Sequence, residues 1–232
     1  MKLQLYALVT PMGPAPRIGD VHGRPLRLVE SHRLGALVGD VRRTPAPTRR
    51  ALLAYHRVIA EVASHYTAVL PARFDAVLDD EAELAYVLQS RRPSFLRSLA
   101  HVRGRAQMTV RLAGTTAPPA ALAEAAPASS GTAYLRARAA SHRTLADTRE
   151  CRAIRESVAR WVRDERIERH NGIVTIYHLV ARSGVSRYRH ALHRLTLGPG
   201  VRLYVTGPFP PFAFADPFAL AAPRRAPRGR RG

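Results

Sequence analysis

The side chains best able to do chemistry in this 232-residue chain are ten histidines, a single cysteine and one dense run of carboxylates. His190 and His193 stand three apart in a segment with helical apolar spacing, so both could face the same way. Zinc there would need one or two more ligands at short range, and no cysteine pair or His-Glu motif supplies them. Flanked by Arg187, Arg189 and Arg194, the two read as solvated helix residues. His56 and His65 are nine apart on one helix, which at about 100° per residue puts them on opposite sides. Asp79, Asp80, Glu81 and Glu83 could pair for acid–base work. They stand at a helix start, however, where the positive end of the helix dipole favours carboxylates. Cys151 has no partner for an intrachain disulfide and reads as a small packed residue in a reducing compartment. No Gly-x-Ser-x-Gly elbow and no phosphate-cradling loop occurs, and Gly13, Gly19 and Gly23 are too scattered for a dinucleotide fingerprint. The chain is therefore expected to be non-enzymatic, with no catalytic residues, cofactor or metal.

The elements around these residues are legible from periodicity. Leu3–Thr10 reads as a buried strand closed by Pro11 and Gly13, and Pro25–Glu30 with Leu34–Val41 as a hairpin. Arg49–Tyr66 is the clearest helix of the first half, with Leu52, Tyr55, Ile59, Val62 and Tyr66 on one face. An extended piece at Val69–Val77 follows, then a helix at Asp79–Ser90 and another that carries Phe95, Leu96, Leu99 and Val102. Arg105–Leu112 alternates as a half-buried strand. Gly114–Ser130, rich in Thr, Pro, Ala and Ser, is expected to be a flexible linker that proteases cut to release two stable fragments. Thr132–Arg166 reads as a long helix with a possible break at Ala146–Glu150. Ile173–Ala181 reads as a strand, a helix follows around Val185–Leu195, and Val201–Thr206 is the last strand. The fold class is α+β, with two domains, each a small sheet with helices on one face: residues 1–113 and 131–222. A tail over 223–232 with five arginines is expected to be disordered.

A hydrophobic share of 46% supports a normal core, and a charged share of 23% argues against wholesale disorder. The net charge is +20, and Lys2 is the sole lysine. Arginine codons of a GC-rich genome would give that bias, as would selection for a polyanionic partner. A basic nucleic-acid-binding protein is the alternative function, although the arginines are scattered and no nucleic-acid motif accompanies them. Neither a signal peptide nor an apolar run of transmembrane length is expected.

Four strings resemble the GvpL/GvpF gas vesicle proteins, in the order found in that family. They are Leu5-Tyr6-Ala7-Leu8-Val9, Val69-Leu70-Pro71-Ala72-Arg73-Phe74, Gly131-Thr132-Ala133-Tyr134-Leu135 and Gly207-Pro208-Phe209-Pro210-Pro211-Phe212-Ala213-Phe214. The last is the most specific, with Phe209, Phe212 and Ala213 where the family usually has Trp, Tyr and Ser. Asp75 and Ala76 stand where the family usually has Gly and Thr. The resemblance implies two α+β domains with ferredoxin-like character in the first, and a role in gas vesicle formation. It also implies a cytoplasmic, vesicle-associated location and contact with the small hydrophobic shell protein or other accessory proteins. Pro71, Arg73, Phe74, Gly207, Pro208, Phe209, Pro210, Pro211, Phe212 and Phe214 are the candidate structural or interaction residues. The phenylalanines either fold back as a final staple or stay exposed to dock a partner. Packing is slightly favoured, with Phe209 expected to serve the second domain.

Overall fold

A computed structural model of the chain describes residues 1–11, 16–114, 148–170 and 173–215. It divides into two compact units, Met1–Arg105 together with the chain from Phe209 onward, and Ala106–Pro208. In the first unit the order is β1 (Lys2–Val9), β2 (Arg27–Ser31), β3 (Leu34–Val41), α1 (Arg49–His65), β4 (Val69–Pro71), β5 (Val77–Leu78), α2 (Glu81–Ser90) and α3 (Arg92–Val102).

The first sheet is built around β1. β3 pairs antiparallel along one side of it, and β4 and β5 share the other, with Leu8 opposite Leu70 and Leu3 opposite Leu78. β2 adds outside β3 through a two-residue turn at which His32 takes a positive φ of 55°. Residues 3–9 of β1 are all buried, so both faces of the sheet are covered. Tyr6, Ala7, Val9 and Leu37 pack with Tyr55, Val58, Ile59 and Val62 of α1. The opposite face takes α3, whose Phe95, Leu99 and Val102 are buried and which meets β1, β3 and β4. The α+β class is as expected, but this sheet carries helices on both faces rather than one. A continuous apolar run such as β1 demands that cover.

Local chemistry fixes the helix starts. Thr48 caps α1 by accepting from the Ala51 amide. At α2 the Asp80 carboxylate accepts from the Glu83 amide, and Glu83 reaches back to accept from the Asp79 amide, one residue ahead of the cap. Glu81 pairs with Arg27 at 2.7 Å and Asp79 with Lys2. The dense acidic run is thus occupied in capping and ion pairs.

The second unit holds β6 (Arg105–Ala113), α4 (Arg149–Val158), β7 (Val162–His170), β8 (Ile173–Ala181), α5 (Val185–His193) and β9 (Arg202–Phe209), and the sheet order is β7-β8-β6-β9. Met108, Val110, Leu112, Val174, Ile176 and Val180 turn one face towards Cys151, Ile154, Val158, Tyr188 and Leu192 of the two helices. Cys151 is fully buried, and burial pushes its thiol pKa up, which suits a packing role.

Two expectations change here. The strand Arg105–Leu112, assigned to the first domain from sequence, lies inside the second sheet between β8 and β9. Met108, Val110 and Leu112 find their apolar neighbours there. The long helix ends at Val158, and Val162–Arg166 is strand instead. Its charged residues carry good helix propensity, but antiparallel pairing along the whole of β8 overrides that weak local preference. The linker beyond Gly114, the Gly131–Leu135 string and the arginine tail lie outside the described residues.

Candidate docking groove

Pro45 and Pro47 precede the Thr48 cap and keep the chain extended as it reaches α1. The first turns of that helix present Leu52, Tyr55 and His56 to a groove of about 530 Å³. Its other walls are Pro71–Asp75, following β4, and Phe212 with Ala215 from the final described turn. Leu52 belongs to the apolar stripe by periodicity, yet it is 43% exposed, because it faces the groove rather than the sheet.

The Pro71–Asp75 wall is held from behind. The Tyr55 hydroxyl lies among four carbonyl oxygens, those of Leu5 and Ala72 at 3.1 Å, Arg73 at 3.2 Å and Tyr6 at 3.4 Å. Burial pushes its pKa far above the ordinary tyrosine value, so it stays a donor. The Tyr6 ring stacks on Tyr55 at 5.0 Å, and burial likewise takes the Tyr6 pKa up to about 12. Phe74 meets Tyr55 edge-on at 5.4 Å, and its carbonyl accepts from Gln4 Nε2 at 2.8 Å. The Ala72 amide donates to the Tyr6 carbonyl, and the Leu5 amide to Ala76. Arg73 pairs with Asp75 at 2.9 Å on the exposed rim.

The other wall is the proline–phenylalanine string. Pro210, Pro211 and Phe214 are buried, whereas Phe209 and Phe212 are half-buried. The Phe212 ring lies 4.5 Å from the His56 ring, and Phe209 meets the same imidazole edge-on at 6.2 Å. A short 3₁₀ turn at Phe212–Phe214 is closed by the Phe214 and Ala215 amides donating to the Pro211 carbonyl. Phe209 therefore packs in the first unit, not the second. The chain leaves the second unit at Pro208, and the ring falls where His56 offers a face.

The structure brings Pro71, Arg73, Phe74 and Phe212 together around one groove, with Phe209 and Phe214 beside it. Gly207 and Pro208 belong to the second unit, joined by a cis peptide bond. Gly207 holds φ at 115°, and a Cβ there would meet the Gln107 carbonyl oxygen at 2.7 Å, so a side chain is excluded. Leu52 and His56 are groove residues that sequence reading assigned elsewhere. The mismatch between periodicity and exposure appears only once the sheet is placed.

A buried polar chain in the second unit also went unforeseen. His178 is 1% exposed, with Nδ1 2.7 Å from the Tyr188 hydroxyl and Nε2 2.9 Å from Glu165. Arg155 donates to the other Glu165 oxygen at 2.8 Å. Burial would raise the Glu165 pKa, but the bonds from His178 and Arg155 outweigh it and hold that carboxyl below its usual range. Burial pushes the Tyr188 hydroxyl well above the ordinary tyrosine value. The hydrogen bonds of this network tie α4, β7, β8 and α5 to one another.

Among the described residues no cluster of three His, Cys, Asp or Glu could hold a metal ion, and no helix is long and apolar enough to cross a membrane. The groove is walled by apolar side chains and backbone, with one imidazole and one rim ion pair. That arrangement suits apolar docking.

Comparison with known proteins agrees with the four strings. The family profile described as gas vesicle synthesis protein GvpL/GvpF matches residues 3–216. The chain is 28% identical over 218 residues to gas vesicle protein F of Streptomyces sp. (strain CB03234), covering 86% of this chain and 91% of that one. Its fold is similar to the crystal structure of GvpF from Microcystis aeruginosa, with a TM-score of 0.72 at 13% identity, covering 93% of this chain and 99% of that one. GvpF from Anabaena sp. PCC7120 gives 0.70 at 14% identity, covering 93% and 96%. The chain belongs to the GvpL/GvpF family of gas vesicle synthesis proteins.

Proposed function

We propose that the protein is a non-enzymatic accessory protein of gas vesicle formation, acting in the cytoplasm by contact with the vesicle shell protein or other accessory proteins. One observation carries the reading. The two most specific family strings, more than a hundred residues apart in sequence, supply facing walls of one apolar groove. Leu52 stands exposed in the same groove on the first turns of α1. Leu52 and Phe212 line one concave, mostly apolar groove, the kind of surface on which a partner docks.

Leu52→Asp tests this without touching the core. The variant is expected to fold and melt as the parent does. It is also expected to lose co-purification with the shell protein and accessory proteins, and to fail to restore vesicles in a strain lacking the gene. Normal vesicles from the variant, or from the deletion strain itself, would rule the reading out.

A further inference from the structure

Among the described residues, the second sheet ends in two unpaired edges that are defended very differently. β7 carries charge at six of its nine positions, Arg163, Asp164, Glu165, Arg166, Glu168 and Arg169. Such an edge resists the addition of another strand, because any incoming chain must match or bury those charges. β9 lies at the opposite end of the same sheet and, among the described residues, no strand pairs with its outer side. Of its eight residues only Arg202 is charged. Leu203 and Val205 face the core with the rest of that sheet face, and Tyr204 stands 51% exposed on the other. The strand alternates and carries no charge after Arg202; Arg189 donates to its Gly207 carbonyl, so the stretch left for pairing is 202–206. An edge in that state is a template for β-strand addition.

The charge around β9 selects what can be added. Between Arg182 and Ala215 the sequence has five arginines and no aspartate or glutamate. The neighbouring strand β6 adds Arg105 and Arg111 and no acid. All the carboxylates of this sheet stand on β7, at the guarded edge. A cationic strand, or a second copy of this basic chain, would meet like charge there; an acidic one would meet Arg202 and the arginines around it.

We propose that the outer edge of β9 binds an extended, acidic segment of a partner protein as an added strand. Its backbone pairs with residues 202–206, its aliphatic side chains extend the inward face of Leu203 and Val205, and its carboxylates lie on the face that carries Arg202 and Tyr204. This edge belongs to the second unit and the groove to the first, and the proposal stands whether or not the groove docks a partner.

The test uses the full chain and a fluorescein-labelled peptide of alternating valine and glutamate, against a peptide of the same composition with the two residues in separate blocks. At physiological ionic strength, where generic charge attraction is screened beyond about 8 Å, the alternating peptide should bind and slow amide exchange across residues 202–206. The block peptide should do neither. Tyr204→Glu places a carboxylate on the exposed face of the edge and should weaken binding by about tenfold or more, since like charges opposite one another disfavour strand pairing. Tyr204→Phe should bind as the parent does. Arg163→Glu makes a larger change in net charge on β7, three strand spacings or about 14 Å from β9, and should leave affinity within about twofold, because charge at that distance is screened. Equal losses in Tyr204→Glu and Arg163→Glu, or exchange in β9 unchanged by peptide, would overturn the proposal. So would a dimer in sedimentation whose β9 amides are already protected without peptide, since the occupant would then be a second copy.

Discussion

A single hydroxyl braces the back wall of the groove. The Tyr55 side chain comes from α1, crosses beneath the Pro71–Asp75 segment and offers its proton among carbonyls from β1 and that segment. Tyr55→Phe keeps the ring and its stacking on Tyr6 but strips those oxygens of their donor. It should cost about 1–2 kcal/mol in urea unfolding, the scale of a buried hydrogen bond whose partners stay dry. Glu165 gives a second residue-level expectation. Its folded pKa lies below its unfolded value, so its contribution is fully present above the unfolded value of about 4.3 and fades as pH falls through the folded one. Glu165→Gln should therefore be clearly less stable than the parent at neutral pH, and the gap should narrow in melts taken at progressively lower pH beneath the unfolded value of about 4.3. Sequence reading found neither role. Tyr55 was visible as a helix-face aromatic, but its hydrogen bonds join residues 50 and 17 positions away. His178 sat unmarked in a β-branched run, and its partners are 10 and 13 positions away.

At the scale of elements, periodicity found most of the strands and α1 because each buries an alternating or helical stripe within its own length. It failed where neighbours decide. Val162–Arg166 has few apolar residues to set a period, and only its pairing with β8 makes it a strand. Leu52 shares a stripe with Ile59 and Tyr66, yet only the later turns of α1 are covered. The proline–phenylalanine string allowed packing and docking readings, and the structure divides it by residue. Phe214 is buried, so Phe214→Ala should cost about 3–5 kcal/mol. Phe212 is half-buried against His56 and faces the groove. Phe212→Ala should cost roughly 1–2 kcal/mol, the scale of partial apolar burial, and should weaken partner binding by more than that loss explains. Thermal melts alongside a binding assay separate the two: a Phe212→Ala protein as unstable as Phe214→Ala would make the whole string a staple.

The path of the chain through the two units decides how the molecule can be divided. The composition of Gly114–Ser130 invites a cut there, and the strands and helices on either side could each have made a domain. Connectivity says otherwise: the first unit is discontinuous in sequence, leaving at Arg105 and resuming at Phe209. A fragment of residues 131–222 lacks β6, the strand that lies between β8 and β9, so its sheet loses the element that joins β9 to the rest. It also loses Met108, Val110 and Leu112 from its core. The complementary fragment 1–113 would carry those three side chains on a strand with no sheet, and would lack Phe212 and Phe214. Exposing three such apolar residues forfeits roughly 5–9 kcal/mol at about 1.5–3 kcal/mol each, comparable with the whole stability of a domain. Residues 106–208, by contrast, contain all four strands of the second sheet and its two described helices. Expressed alone, 106–208 should give a cooperative melt and dispersed amide resonances, while 131–222 should give neither. Protease nicking within 114–130 should leave the two pieces of the full chain bound to each other through β6, so that they elute together on a sizing column. Two separately stable fragments after that nick, with 131–222 folded on its own, would show that β6 is dispensable to the sheet.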